Sequence, residues 1–384
     1  MREAQHRLAI VMYHYVRDLK NSRYPRIKGF DISEFKAQID FFKAHFNIIT
    51  MEQLIAAVTP PPPPYGDECG DENLSARIVE SSSPTSHNPQ NLQNLHKPQN
   101  APHNTAHNTP QHSPAPAIDF SKLPQNPLLL TFDDGYIDHY TNVFPILKEH
   151  RLQGSFFMPG KTIAENVLLD VNKIHFILAS APLASLLDDL LEKMDFYRGS
   201  EFSYPSNEEL YKQYAKDERF DTKDIVFIKR ILQAVLPERL RNIISSELFA
   251  KYLGLAEDRF ARELYMNHDQ IALMKREGMF IGFHGYEHYW LSTLSKEAIK
   301  ADIQRGLEVV APYIDKNAWV SCYPFGDYNA LVKECCKSSG CVLGLTTEVA
   351  FVDSHTSDPL LLPRLDCNDF PPRSEKYKGI GGLA

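Results

Sequence analysis

Two carboxylates stand side by side at Asp133 and Asp134, directly after the apolar run 128–132 and before Gly135. Charge at the end of a buried strand is costly, and α/β folds build their sites at that edge. Neighbouring side chains on an extended backbone diverge, so one Asp can hold a metal while the other addresses a water. Gly135 permits a sharp exit from the strand. Asp-Asp-Gly is also ordinary turn chemistry, so the motif gains meaning only from partners. His284 and His288 follow another apolar run and lie four residues apart. They can converge on one metal and, with the Asp134 carboxylate, leave a fourth position open for water, the arrangement of catalytic zinc. A pair of loop histidines is the simpler account of His-x-x-x-His taken alone, and Glu287 within it reads as a solvated rim charge. A third stretch, Tyr323-Pro324-Phe325-Gly326, closes another apolar run. Proline and glycine make a rigid turn there that can aim a backbone N–H as an oxyanion donor, or that merely buries two aromatics.

The elements that position these residues alternate. Residues 8–15 are nearly continuously apolar with β-branched and aromatic side chains, which predicts a buried strand. Asp31 with Glu34 and Thr50 with Gln53 are capping boxes that open helices, with a short strand at 46–49 between them. Strands are then expected at 128–132, 154–158, 280–283, 319–323 and 342–345, with helices at 138–149, 269–276, 295–310 and 329–337. Repeated βα units imply a mostly parallel sheet covered by helices, as an open sheet or a barrel. Two stretches break the pattern. Residues 60–117 are rich in Pro, Asn, Gln and His and cannot bury enough apolar surface to offset the entropy of ordering, which predicts a disordered insertion. Its His87, His96, His103, His107 and His112 are irregularly spaced, so a hydrophilic insert is favoured over a metal buffer. Residues 161–267 read as helical, with helices at 174–191, 225–236 and 239–253, and are expected to form a cap over the site or a layer with no role in it. The barrel would then comprise residues 1–59, 118–160, which carry the Asp-Asp motif, and 268–384.

Composition excludes several classes. Of the 384 residues, 43% are hydrophobic, ample for a core, yet no apolar run approaches the ~18 residues of a membrane span. Forty-one Lys and Arg against 49 Asp and Glu give a net charge of −8, the wrong sign for a partner held by nucleic-acid phosphates or anionic lipid. Residues 1–14 lack the apolar core and cleavage site of a secretory signal, so a cytoplasmic location is expected. The six cysteines include no Cys-x-x-Cys and read as reduced thiols.

Taken in order, Thr131-Phe132-Asp133-Asp134-Gly135, His284-x-x-x-His288 and Tyr323-Pro324-Phe325-Gly326 resemble the polysaccharide deacetylase family, the NodB-homology domain or carbohydrate esterase family four. The resemblance spans residues 8–369 apart from the two insertions. It implies an α/β fold, a distorted (β/α) barrel, and hydrolysis of N- or O-acetyl groups on sugars by one divalent metal, usually zinc. It implies Asp133 as catalytic base, Asp134, His284 and His288 as metal ligands, and Tyr323, Pro324 and Phe325 as the substrate and oxyanion turn. Two features depart from the common pattern. A late Leu-x-x-His motif is missing, His355 being the nearest candidate, whereas Met12-Tyr-His-Tyr15 resembles a subgroup whose N-terminal His faces the metal, which makes His14 the expected general acid. Cys322 stands where an arginine often steadies the base, and Arg364 in Leu362-Pro-Arg-Leu-Asp366 is the expected replacement unless it, or Asp366, belongs to a surface ion pair. The expected partner is an acetylated carbohydrate, of a surface polysaccharide or its precursor. A non-catalytic carbohydrate-binding protein that keeps the barrel and the metal site is the competing expectation.

Overall fold

A computed structural model describes residues 7–58, 118–199 and 201–380. The expected disordered insertion at 60–117 lies outside the described residues. Its flanks meet in them, since Asp119 N–H donates to the Ala57 carbonyl at 2.9 Å.

The sheet strands are β1 (Arg7–Tyr13), β4 (Asn47–Ile48), β5 (Pro127–Phe132), β6 (Ser155–Met158), β7 (Phe280–Phe283), β8 (Trp319–Cys322), β9 (Cys341–Leu345), β10 (Val352–Asp353) and β11 (Leu365–Asp366), while β2 (Val16–Arg17) and β3 (Phe30–Asp31) pair apart from it. Strands β1, β5, β6, β7, β8 and β9 run parallel in that spatial order. The last described segment then closes the ring. Leu362 bridges Leu345 of β9, and three residues later β11 pairs in parallel with Val11 and Met12 of β1. The expected barrel is therefore present, sealed by the short segment that carries Arg364.

Period-two alternation divides each strand between two cores. Leu8, Ile10, Leu129, Val320, Leu343 and Leu345 fill one, inside the ring. Ala9, Val11, Leu128, Leu130, Phe132, Ile281 and Phe283 pack outward on the helices. Residues Leu129, Thr131 and Asp133 share the inner face, which is how an apolar strand delivers a carboxylate to the mouth of the barrel.

Between β6 and β7 the described residues are helical, with a separate core around Ile174, Phe176, Leu186, Leu190, Ile231, Ile244 and Leu248. The single helix expected at 174–191 is two, Asp170–Ser180 and Leu183–Tyr197, because Pro182 lacks the N–H that would continue the first and instead caps the second. The 225–236 helix widens into a π turn at Ile231–Val235, as does the start of the 138–149 helix at His139–Val143. No helix among the described residues is long and apolar enough to cross a membrane.

Candidate metal centre and base

All three motifs emerge at the carboxyl ends of parallel strands, and each leaves its strand through strained backbone. Asp134 (φ 75°), Gly135 (67°), Gly285 (72°), His288 (60°), Phe325 (58°) and Gly326 (68°) are all left-handed. Such φ values cost free energy for the non-glycine residues, and their concentration at one mouth marks a functional site.

Asp134 Oδ1 lies 3.3 Å from His284 Nε2 and 3.3 Å from His288 Nε2, with all three side chains buried. Yet Asp134 Oδ1 has no hydrogen-bond partner. Ligand atoms about 2.0–2.1 Å from a tetrahedral cation sit roughly 3.3 Å from one another, so these spacings fit a cation at their centre. The outer contacts agree. His284 Nδ1 lies 2.6 Å from the Cys322 carbonyl and must donate to it, which turns Nε2 towards Asp134; against burial, Cys322 and Asp134 raise the His284 pKa, so a cation at Nε2 would displace a proton. Burial outweighs the Asp134 carboxylate and lowers the His288 pKa, which favours the neutral imidazole that a metal would need. A second cluster, Asp133, His284 and Cys322, fits a metal less well. Both Asp133 oxygens are engaged, and burial pushes the Cys322 thiol up, away from the thiolate a metal needs.

Asp133 is held ionised and in one orientation. Arg364, 1% exposed, clamps it through Nη1–Oδ1 at 2.9 Å and Nη2–Oδ2 at 2.8 Å, and is itself aimed by Nε donating to the Thr346 carbonyl at 2.8 Å. Burial alone would raise the Asp133 pKa, but Arg364, then His284 and His14, overcome it and hold it at about 2. Arg364 thus meets Asp133 in the interior, and no surface ion pair is involved. Asp366 instead caps the turn at 367–369.

His14 Nε2 is 4.0 Å from Asp133 Oδ2, with its side chain 41% exposed at the mouth. The buried His139, not singled out from sequence, donates Nε2–H to the His14 carbonyl at 2.8 Å and fixes that strand end. His355 stands elsewhere. It follows β10, which pairs with Arg7 and Leu8 at the opposite end of β1, about 20 Å from the mouth at 3.3 Å per residue. Glu287 pairs with Lys161 at 2.6 Å.

In the turn expected to supply the oxyanion donor, most N–H groups are engaged within the protein. Tyr323 N–H donates to the Leu345 carbonyl at 3.0 Å as a sheet bond, so it is not free, and Pro324 has none. Gly326 and Asp327 donate back into the turn at 2.8 and 3.0 Å, which leaves Phe325 N–H. Its ring meets that of His288 at 4.7 Å and stacks on Trp290 at 4.6 Å.

An α/β barrel thus carries at its mouth an Asp-His-His cluster that could hold a metal ion and, beside it, an arginine-clamped second carboxylate. The polysaccharide deacetylase family model matches residues 121–204 and 255–343. A 36-residue stretch is 47% identical to YxkH of Bacillus subtilis, which is named as a proposed polysaccharide deacetylase; the match covers 9% of this chain and 13% of that relative's length. Among solved structures, the Streptococcus pyogenes deacetylase PplD in complex with acetate aligns over 97% of this chain and 96% of its own at 14% identity, TM-score 0.47. IcaB from Ammonifex degensii aligns over 96% and 98% at 15% identity, TM-score 0.45.

Proposed function

We propose that the protein is a metal-dependent deacetylase that hydrolyses the acetyl group of an acetylated sugar, an N-acetyl amino sugar of a surface polysaccharide or its precursor. The observation that carries this reading is the division of labour between neighbouring carboxylates. Asp134 keeps one oxygen free among two histidine nitrogens, while Asp133 is locked, ionised, beside it.

Asp134, His284 and His288 would hold the cation, zinc by preference for two nitrogens, one oxygen and an open position. Once bound, it supplies Lewis-acid polarisation of the acetyl carbonyl and a water of lowered pKa. Asp133 accepts a proton from the attacking water as the new C–O bond forms, with both its oxygens oriented by Arg364. Phe325 N–H is the turn's donor for the developing oxyanion. His14 donates a proton to the amine nitrogen as the C–N bond breaks, because an amide nitrogen leaves poorly as an anion. The competing reading, a carbohydrate-binding protein without turnover, draws on the missing arginine beside the base and on the missing late Leu-x-x-His acid; the Arg364 clamp on Asp133 weighs against the first ground.

Acetate release from N-acetylglucosamine oligomers, before and after metal removal and zinc restoration, tests the proposal. Release that disappears with chelation and returns with zinc is expected. Absence of release from any N- or O-acetylated sugar by the fully loaded protein would contradict it.

A further inference from the structure

The other oxygen of the candidate metal-ligating carboxylate is not left to solvent. Asp134 Oδ2 accepts from Tyr136 OH at 2.5 Å, and Tyr136 OH accepts from Asn172 Nδ2 at 2.7 Å. Asn172 belongs to the helix Asp170–Ser180 of the helical region and has no exposed surface. Its Oδ1 accepts from Tyr265 OH, whose oxygen in turn accepts the Leu169 N–H at 3.2 Å. A side branch runs from Asn172 Nδ2 to Tyr15 OH at 3.1 Å.

The chemistry of these groups fixes the direction of every bond. The Asp134 carboxylate can only accept, so Tyr136 OH donates to it and can only accept from Asn172; the amide therefore turns its Nδ2 to Tyr136 and its Oδ1 to Tyr265 OH, whose oxygen accepts the Leu169 N–H. The donor end then faces the two phenols. Each member is satisfied, and no member can rotate without orphaning another, which makes the chain a rigid buried network. Every link is neutral. A cation on Oδ2 would compete with a bound metal for the carboxylate, whereas a neutral phenol anchors Oδ2 and leaves Oδ1 ionic, unpartnered and aimed at the histidines.

We propose that the helical region between β6 and β7 completes the metal centre, with Asn172 and Tyr136 as positioning residues that orient Asp134 for a divalent cation. This deepens the proposed function by giving the region a part in the site. It rests on the metal centre and is independent of which sugar is the substrate. Partners that orient metal ligands typically change metal affinity by about 10–100-fold when removed.

The test measures zinc affinity by competition with a chromogenic chelator, and the visible spectrum of the cobalt-substituted full chain, for wild type and three variants. Asn172→Asp keeps shape but replaces the donor with an acceptor, and Tyr136→Phe removes the terminal hydroxyl. Ser245→Ala, a buried hydroxyl in the same region that contacts Asp170 at 3.3 Å and lies off the chain, controls for general loosening. Expected are zinc affinities lowered about 10–100-fold in Asn172→Asp and Tyr136→Phe with an altered cobalt spectrum, and wild-type values in Ser245→Ala. Tight binding by wild type that neither variant disturbs, or that Ser245→Ala weakens equally, overturns the positioning role alone. Failure of the wild-type chain to bind zinc or cobalt overturns the metal centre and this inference together.

Discussion

Asp133 and Asp134 share a peptide bond, yet they are held from opposite parts of the chain by opposite kinds of contact. Asp133 is gripped by a buried guanidinium from the C-terminal segment that closes the barrel, with the N-terminal His14 nearby. Asp134 is steadied by a neutral phenol and amide reaching from the helical region. The difference follows from what each carboxylate is proposed to do. A base must stay ionised with its direction fixed, and a two-point cationic clamp does both. A metal ligand must keep one oxygen's charge unspent, and only a neutral donor allows that.

Variants on the two sides should therefore fail differently. Asp134→Asn or His284→Ala should abolish stoichiometric zinc binding and reduce acetate release to background, read by metal content and by acetate assay on the same samples. Asp133→Asn should bind zinc as wild type does while kcat falls about 10²–10⁴-fold, the usual worth of a positioned base. Equal loss of metal in both variants would erase the distinction. His14→Ala should cost about 10²-fold on N-acetyl substrates and much less on O-acetyl esters, whose alkoxide leaves more easily. A uniform loss across both would move the acid elsewhere.

Arg364→Met sharpens the comparison through pH. Its removal leaves burial unopposed, so the Asp133 pKa rises from about 2 and the acid limb of the pH–rate profile moves up, by about 1–3 units for loss of an adjacent opposite charge. The sign for stability is the same as for any depressed carboxylate. In wild type the Asp133–Arg364 pair stabilises the fold above the ordinary carboxylate pKa, and that contribution fades as pH falls towards about 2. The smallest effect is expected from replacing residues 60–117 by a short turn. Ala57 and Asp119 are already hydrogen bonded, so melting temperature and acetate release should stay at wild-type values.

What could be read from the sequence was what chemistry concentrates locally. The strand-ending Asp133-Asp134-Gly135, His284 with His288, and the Tyr323–Gly326 turn each announce themselves by costly residue types beside an apolar run, and Arg364 by its place in a short motif. The Asn172, Tyr136 and Tyr265 network has no such signature, because neutral Tyr and Asn scattered between positions 136 and 265 form no spacing that a sequence displays. The Cys322 carbonyl that orients His284 is backbone and invisible in the same way. The role of the Tyr323 N–H is hidden for a related reason. A strand end and a free donor look alike in sequence, and only the pairing with Leu345 shows that its N–H belongs to the sheet. The break at Pro182 was legible by the ordinary proline rule, but the apolar periodicity on both sides conceals it.

The most direct test of the account is zinc content and acetate release measured together on wild type and Asp133→Asn. The account predicts one zinc per chain in both proteins and acetate release in wild type alone. An Asp133→Asn protein that still releases acetate at the wild-type rate would contradict it.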